Sequence, residues 1–452
     1  MLCAALLLPA PAGAQDEPAL PPGLESDEPA LPESLGEETS ETEDDGASPD
    51  PLPFDLSGFL EGRVGHRTRH DPEESSFSLG EVRAQVEAER AWSWGMARVT
   101  FDLLADAVAN DHDVDLETGD GWFDLREAFV TARATSFLDL KLGRQILTWG
   151  TGDLLFINDL FPKDWVSFFI GRDTEYLKAP SDALKASVFT RWLNLNLVYT
   201  PNFDADRFID GRRISFFDPA RGETVGRHDR LRVDRPDDWF RDDEVAVRLY
   251  RNLGALELAA YGYRGFWKSP AGSDASSGRA TFPRLTVAGA SVRGPLAGGI
   301  ANAEVGYYRS GDDTGGSDPA IRNSELRLLT GYERELGHDL STGVQYYLER
   351  MDDYSDYRRN LPAGATKRDE NRHTLTLRVT KLLLQQNLEL SFFAYWVPSD
   401  SDVYLRPRVH YKVDDHWGVE LGGNVFAGRH DDSFFGQFDR NSNVYAAARY
   451  GF

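Results

Sequence analysis

The side chains best equipped for chemistry in this chain are charged groups that recur at every second position. In Glu81-Val82-Arg83-Ala84-Gln85-Val86-Glu87-Ala88-Glu89 the odd positions are charged or polar and the even ones apolar. The stretch from Val403 to Lys412 repeats the scheme, with Tyr404, Arg406, Arg408, His410 and Lys412 on one side and Val403, Leu405, Val409 and Tyr411 on the other. An extended strand places two such sets on opposite faces. If the apolar face meets lipid, the charged face lines water, and its chemistry is electrostatic: it attracts, repels and orients solutes. On the early strands Glu81, Glu87, Glu89 and Asp102, interrupted by Arg83 and Arg98, make a mixed patch. On the last strands Arg372, Arg378, Arg406, Arg408, His410, Lys412 and Arg449 make a basic wall. Closure of the first strand on the last would make these neighbouring sectors. The alternative use of such rows is structural, Arg and Glu pairing to stiffen the wall.

Covalent chemistry has no comparable support. There is no GxSxG, HExxH or P-loop, and neither His373 nor His410 has a nucleophile near it in sequence. No enzyme activity and no cofactor are expected, a Ser/His pair assembled in space being the remaining alternative. Asp111, Asp113, Asp115, Glu117 and Asp120 are oxygen-rich, as calcium prefers, but lack the glycine and twelfth-position glutamate of an EF-hand loop. They read as a solvated loop, with no metal expected.

The elements that position the charges are strands of ten to fourteen residues, about 18 of them between Phe54 and Phe452. Tight turns are expected at Ala91 to Trp94, Ala134 to Phe137, Trp192 to Leu193, Asn252 to Gly254, Gly294 to Gly298, Glu335 to Asp339, Leu384 to Asn387 and Asp414 to Trp417. Long polar loops alternate with them at 150–182, 201–241, 268–280, 310–323 and 351–370, while Pro398 to Asp402 is short where a loop is due. Trp92, Trp396, Tyr411, Trp417 and Tyr450 sit near segment ends, as interfacial girdles do. Pro407, mid-strand on the outward face, predicts a bulge or local break. A soluble β-sandwich also alternates, but its strands are usually shorter. After the first dozen residues no apolar run approaches the roughly 20 residues of a spanning helix, which excludes a helical transporter.

The loop from Gly150 to Asp182 is rich in Leu, Ile, Phe and Trp, so it should fold against something. Folding into the lumen would bring Asp153, Asp159, Lys163, Asp164, Arg172, Asp173 and Glu175 to a constriction. The loop from Asn202 to Asp243 would lie over the outer mouth.

At the N-terminus, Leu2 to Leu8 followed by Ala12-Gly13-Ala14 fits a secretory signal peptide over 1–14, and Cys3, the only cysteine, lies inside it. Residues 16–50 hold 13 acidic and no basic side chains, so 15–52 reads as a disordered acidic, Pro-rich periplasmic tail. The tail accounts for 13 of the 25 net negative charges; the remaining 12 make the rest too acidic for a nucleic-acid binder.

One region carries a family resemblance. Leu125-Arg126-Glu127-Ala128, Leu142-Gly143-Arg144-Gln145, Trp149-Gly150, Asp159, Pro162 and Asp164 resemble porin-like outer-membrane barrels of the alginate-export type and their uncharacterised relatives. The C-terminal run Val444 to Phe452, alternating and ending in an aromatic, looks like the strand such barrels present to their assembly machinery. The resemblance implies a barrel passing sugars, sugar acids or other small polar solutes. The mixed-sign lumen departs from the arginine-rich lumen of alginate exporters. The expectation is an all-β protein: one transmembrane antiparallel barrel over 53–452, in the cell outer membrane, among lipid and lipopolysaccharide, open to small polar or anionic solutes. The alternatives are a polysaccharide-export barrel with periplasmic and inner-membrane partners, and a plugged structural protein.

Overall fold

The computed structural model describes residues 54–109 and 113–452. The expected signal peptide, all of the acidic tail and Asp111 lie outside the described residues.

Alternating side chains can satisfy lipid and water at once only if the sheet has no free edge, because an unpaired edge in hydrocarbon leaves a row of backbone N–H and C=O groups without partners. The chain meets this with eighteen antiparallel strands. The first six are Asp55–Arg67 (β1), Phe77–Trp92 (β2), Gly95–Asp106 (β3), Phe123–Thr135 (β4), Leu138–Ile146 (β5) and Pro180–Phe189 (β6). Then come Asn194–Thr200 (β7), Glu244–Leu253 (β8), Leu256–Phe266 (β9), Arg284–Leu296 (β10), Gly299–Ser310 (β11) and Glu325–Gly337 (β12). Leu340–Met351 (β13), Asn371–Leu383 (β14), Leu388–Val397 (β15), Asp402–Lys412 (β16), Trp417–Gly428 (β17) and Asn443–Gly451 (β18) complete the wall. Each strand pairs with the next, and β1 closes on β18 from Phe59–Gly451 to Arg67–Asn443.

All eight expected tight turns are present, on the same rim as Phe452. The nine longer connections (L1 to L9) share the opposite, extracellular rim; the one between β15 and β16 is the short Pro398-to-Ser401 link anticipated above. Leu56, Leu60, Val82, Leu142, Leu184, Val344 and Leu421 are exposed on the outer face. So broad an apolar surface belongs against acyl chains. Trp92 and Trp94 stack at the periplasmic rim with centroids 5.5 Å apart, and Trp417 meets Tyr450 there at 5.1 Å. Trp396, 54% exposed, marks the opposite rim. At Pro407 the ladder to β17 lapses between Leu405–Val425 and Arg408–Gly422 and resumes in the same register. The proline therefore makes a local break and no bulge, as expected of a residue without an N–H.

The inside is filled by L3, between Ile146 and Pro180, and L4, between Thr200 and Glu244. L3 begins earlier than expected and Asp182 belongs to β6. L3 contains a short α-helix, Trp165–Ile170 (α1), and a 3-10 turn at Thr174–Leu177. Asp164 caps it, accepting from Ser167 N at 2.7 Å, and Gly171 ends it at φ +93° with a Cβ position only 2.3 Å from the Tyr445 ring, so glycine is required there.

Candidate pore constriction

The base of L3 is built by the residues that carried the family resemblance. Arg144 on β5 donates from Nε to Leu125 O at 2.7 Å and from Nη1 to Asp182 at 2.9 Å, and Gln145 donates to Ala183 O at 2.8 Å. Gly143 adopts φ +121° where a Cβ would lie 2.3 Å from Ala128 O, which lets β4 and β5 approach. Arg126 donates to Lys178 O at 3.0 Å with its guanidinium 4.7 Å from the Tyr176 ring. These contacts clamp β4, β5 and β6 together where L3 leaves and rejoins the wall, with Arg126 holding the end of the loop.

From there L3 crosses the lumen. Ile157 and Phe161 pack with Tyr263, Leu285, Tyr308 and Leu329 of β9 to β12. The Glu304 carboxylate on β11 accepts from Gly152 N and Asn158 Nδ2, both at 2.9 Å, and from Thr151 Oγ1 at 2.8 Å. Gln345 on β13 bonds both Asp153 N and Asp153 O at 2.8 Å, and Tyr395 on β15 donates to Leu154 O at 2.8 Å. Phe168 and Phe169 of α1 then pack with Tyr404, Phe426 and Tyr445 of β16 to β18. Arg63 on β1 donates to Gly171 O at 2.7 Å. L4 seals the second side: Arg207 reaches Asp124 at 2.7 Å and Asp164 at 3.5 Å, and Arg213 reaches Asp106 and Glu81.

All eleven wall residues expected to line the lumen lie on the inward-facing register, but they divide in two. Glu81, Arg83 and Asp102 are sealed under the loops: Glu81 is gripped by Arg172 at 3.0 Å, Arg83 pairs with Asp102, and Tyr176 lies 4.2 Å from the Arg83 guanidinium. Glu87 and Arg98 stay half-buried, Arg98 donating to Glu89 at 3.0 Å. On the last strands the basic wall is largely a chain of ion pairs. Arg372 binds Glu349 at 2.8 Å and Asp400 at 2.7 Å. Arg408 binds Glu420 at 2.7 Å and Glu389 at 3.2 Å, and Arg449 binds Glu61 at 3.0 Å and Glu175 at 3.1 Å. Arg378 meets Asp153, and Lys412 sits at the periplasmic rim on Asp415. Arg406 differs: its guanidinium lies 3.9 Å from the Phe168 ring and, among the described residues, it makes no ion pair.

The loop residues divide the same way. Asp159 and Lys163 pair with each other at 2.9 Å while almost wholly buried, and Asp164 is consumed by its cap and by Arg207, so these three hold the loop together. Arg172 is spent on Glu81. Asp153, Asp173 and Glu175 keep side chains that are partly accessible and face Arg378, Arg408 and Arg449. Burial, with Asp173 beside it, raises the Glu175 carboxyl above its ordinary range against the pull of Arg449. The accessible constriction therefore sets acidic loop groups against a basic wall.

Sequence reading missed Glu304, Glu349, Glu420, Glu61 and Arg63, all on the inward register, where parity alone would have found them. It also missed Arg207 and Arg213, for which no local signal exists. Of the acidic stretch in L2, Asp115 accepts from Glu117 N, Asp120 pairs with Arg212 and Glu117 with Arg235 at 2.7 Å. Two loop carboxyls are pushed up to about 7 by burial: Asp204, near Glu244, Glu117 and Asp182 with Lys268 opposing, and Glu74, with Arg227 opposing.

A closed eighteen-strand cylinder, apolar outside and charged within, with its third loop folded inward, defines a porin-like β-barrel of the outer membrane. No family profile and no curated protein matches the chain. Solved structures of similar shape include OccAB4 of Acinetobacter baumannii, with a TM-score of 0.53 at 9% identity over 90% of this chain and 100% of that one. OccK3 (OpdO) of Pseudomonas aeruginosa has a TM-score of 0.52 at 13% identity over 88% and 96%. OccK11 (OpdR) of the same organism has 0.51 at 11% over 88% and 95%. At such identities the likeness is one of fold.

Proposed function

We propose that the barrel lets small polar or anionic solutes, such as sugars or sugar acids, pass passively, with L3 setting size and charge preference. The observation that carries this reading is Arg406. A lumenal guanidinium stacked on Phe168 at loop level, without an ion-pair partner among the described residues, has its charge available to a passing anion. Asp153, Asp173 and Glu175 opposite give the passage a transverse field, which favours solutes carrying both hydroxyls and negative charge. Planar-bilayer recording of the purified barrel tests it: discrete currents with an anion-selective reversal potential under a salt gradient are expected, with sugar acids blocking better than neutral sugars.

A second reading, a plugged structural barrel, draws on the two apolar clusters that L3 forms with opposite sides of the wall. It predicts no unitary currents at all, so the same recording separates the two.

A further inference from the structure

On the membrane-facing register of the wall, exposed arginines and lysines occur only near strand ends. At the extracellular end they are gathered on one side: Arg264 (β9), Arg284 (β10), Arg309 (β11) and Arg350 (β13). The register puts Arg264, Thr286 and Arg309 in one row across three adjacent strands, with Arg284 one pleat nearer the rim. Two strand spacings separate Arg264 from Arg309, about 10 Å, a gap that two long guanidinium side chains can close around one or two phosphates. Among the described residues Arg264 and Arg309 make no ion pair. Arg284 has Asp242 at 3.8 Å and Arg350 has Glu370 at 3.8 Å, both loose; Asp312 accepts from the Arg284 backbone N–H at 2.9 Å.

Beneath the arginines the same strands form a shallow trough. The next row down reads Val247, Gly262, Ala288, Tyr307 and the one below it Leu249, Ala260, Ala290, Val305, so two small residues lie between larger flanks in each. A Cβ at Gly262 would meet nothing within 4 Å. Cations at headgroup level above an apolar trough complement an anionic headgroup with an acyl chain below it.

We infer that this face holds a phosphorylated glycolipid of the outer leaflet, its phosphates on Arg264, Arg284 and Arg309 and one acyl chain along the Gly262–Ala288 trough. This stands apart from the transport reading, since none of these residues faces the lumen.

Native mass spectrometry of the detergent-solubilised full chain tests it, titrating bis-phosphorylated lipid A, dephosphorylated lipid A and inorganic phosphate. The expected result is one retained bis-phosphorylated lipid A on the wild type. Binding should weaken on the order of tenfold or more in Arg264→Gln/Arg284→Gln/Arg309→Gln and stay unchanged in Arg251→Gln/Arg334→Gln, which alters outward arginines of the periplasmic rim. Dephosphorylated lipid A should bind weakly and inorganic phosphate should leave no adduct. Heat-modified gel mobility checks folding, and should the triple variant fail it, Arg309→Gln alone is expected to weaken binding a few-fold. Equal lipid A binding by variant and wild type, or equal binding of the dephosphorylated lipid, would overturn the inference. So would a variant that changes oligomeric state while keeping its lipid, which would mark the face as a contact between copies.

Discussion

Asp153 of L3 and Arg378 of β14 meet through Arg378 Nη2 and Asp153 Oδ1 at 2.7 Å, and the same aspartate holds Gln345 of β13 through its backbone N–H and C=O. The near edge of the lumenal loop is therefore tied to the wall by one ion pair and two backbone bonds. Both charged side chains are about a third exposed, so solvent screening leaves the ion pair worth about 1 kcal/mol or less. Asp153→Asn or Arg378→Gln should keep the fold and loosen that edge. Noisier single-channel currents are expected, with less than a twofold change in mean conductance; traces as quiet as the wild type would show that the backbone bonds suffice.

Glu304 is a stronger anchor, because it is buried and receives donors from Thr151, Gly152 and Asn158. Glu304→Ala orphans them and should cost about 2–4 kcal/mol of loop docking. Glu304→Gln, which keeps an acceptor, should cost less. Hydrogen exchange over residues 150–160 should rise while heat-modified gel mobility stays normal. Loss of that mobility would mean that Glu304 supports the barrel itself and not only the loop.

Among the described residues Arg406 has no ion-pair partner to share its charge with, so its removal should register in selectivity more than in stability. Arg406→Gln is expected to lower the anion-to-cation permeability ratio by roughly two- to threefold, and Arg406→Glu to lower it further. Arg408→Gln, whose charge is already met by Glu420 and Glu389, should shift the reversal potential less. Equal shifts from the two positions would remove Arg406 from its special place.

The docking of L1 and L4 should depend on pH. Glu74 and Asp204 sit near 7 because burial penalises their charged forms, so the docked loops bind protons more tightly than the undocked ones do. Their contribution is complete below the ordinary carboxyl range and is lost as pH rises through about 7. Hydrogen exchange in 202–216, corrected for intrinsic rates, should be slower at pH 5 than at pH 8, and Asp204→Asn should flatten that difference. A steeper pH dependence in Asp204→Asn would reverse the sign assigned to this group.

Gly143 is expected to tolerate no side chain, since its φ of +121° and the nearby Ala128 carbonyl leave neither conformation nor space for one. Gly143→Val should reduce the yield of heat-modifiable barrel severalfold, whereas Gly262→Ala, with open space at its Cβ, should leave the yield unchanged.

Much of this architecture was legible in the linear chain. Period-two alternation is a local property, so Val82, Leu405 and Val409 declared themselves outward and Arg83, Arg406 and Arg408 inward before any partner strand was known. Turn residues such as Asn252 to Gly254 set the register of each hairpin locally as well, which is why the strand number and both rims could be counted. The apolar content of L3 was enough to say that it must fold against something. The cluster of Arg126, Gly143 and Arg144 was visible as a motif, though the contacts it makes between β4, β5, β6 and L3 were not.

Charge type and parity were thus determined by sequence; charge partnership was decided by the tertiary structure. Asp159 and Asp153 look alike in the chain, yet one is buried against Lys163 and the other pairs with Arg378 where solvent still reaches both side chains. Glu81 and Glu87 share one face of β2, yet only Glu81 is sealed by Arg172 and by Arg213 of L4. Whether a lumenal charge is spent on a neighbour or left for a solute depends on where two long loops come to rest. That is set by contacts spanning up to hundreds of residues, such as Arg63 to Glu420, for which alternation along a single strand holds no record.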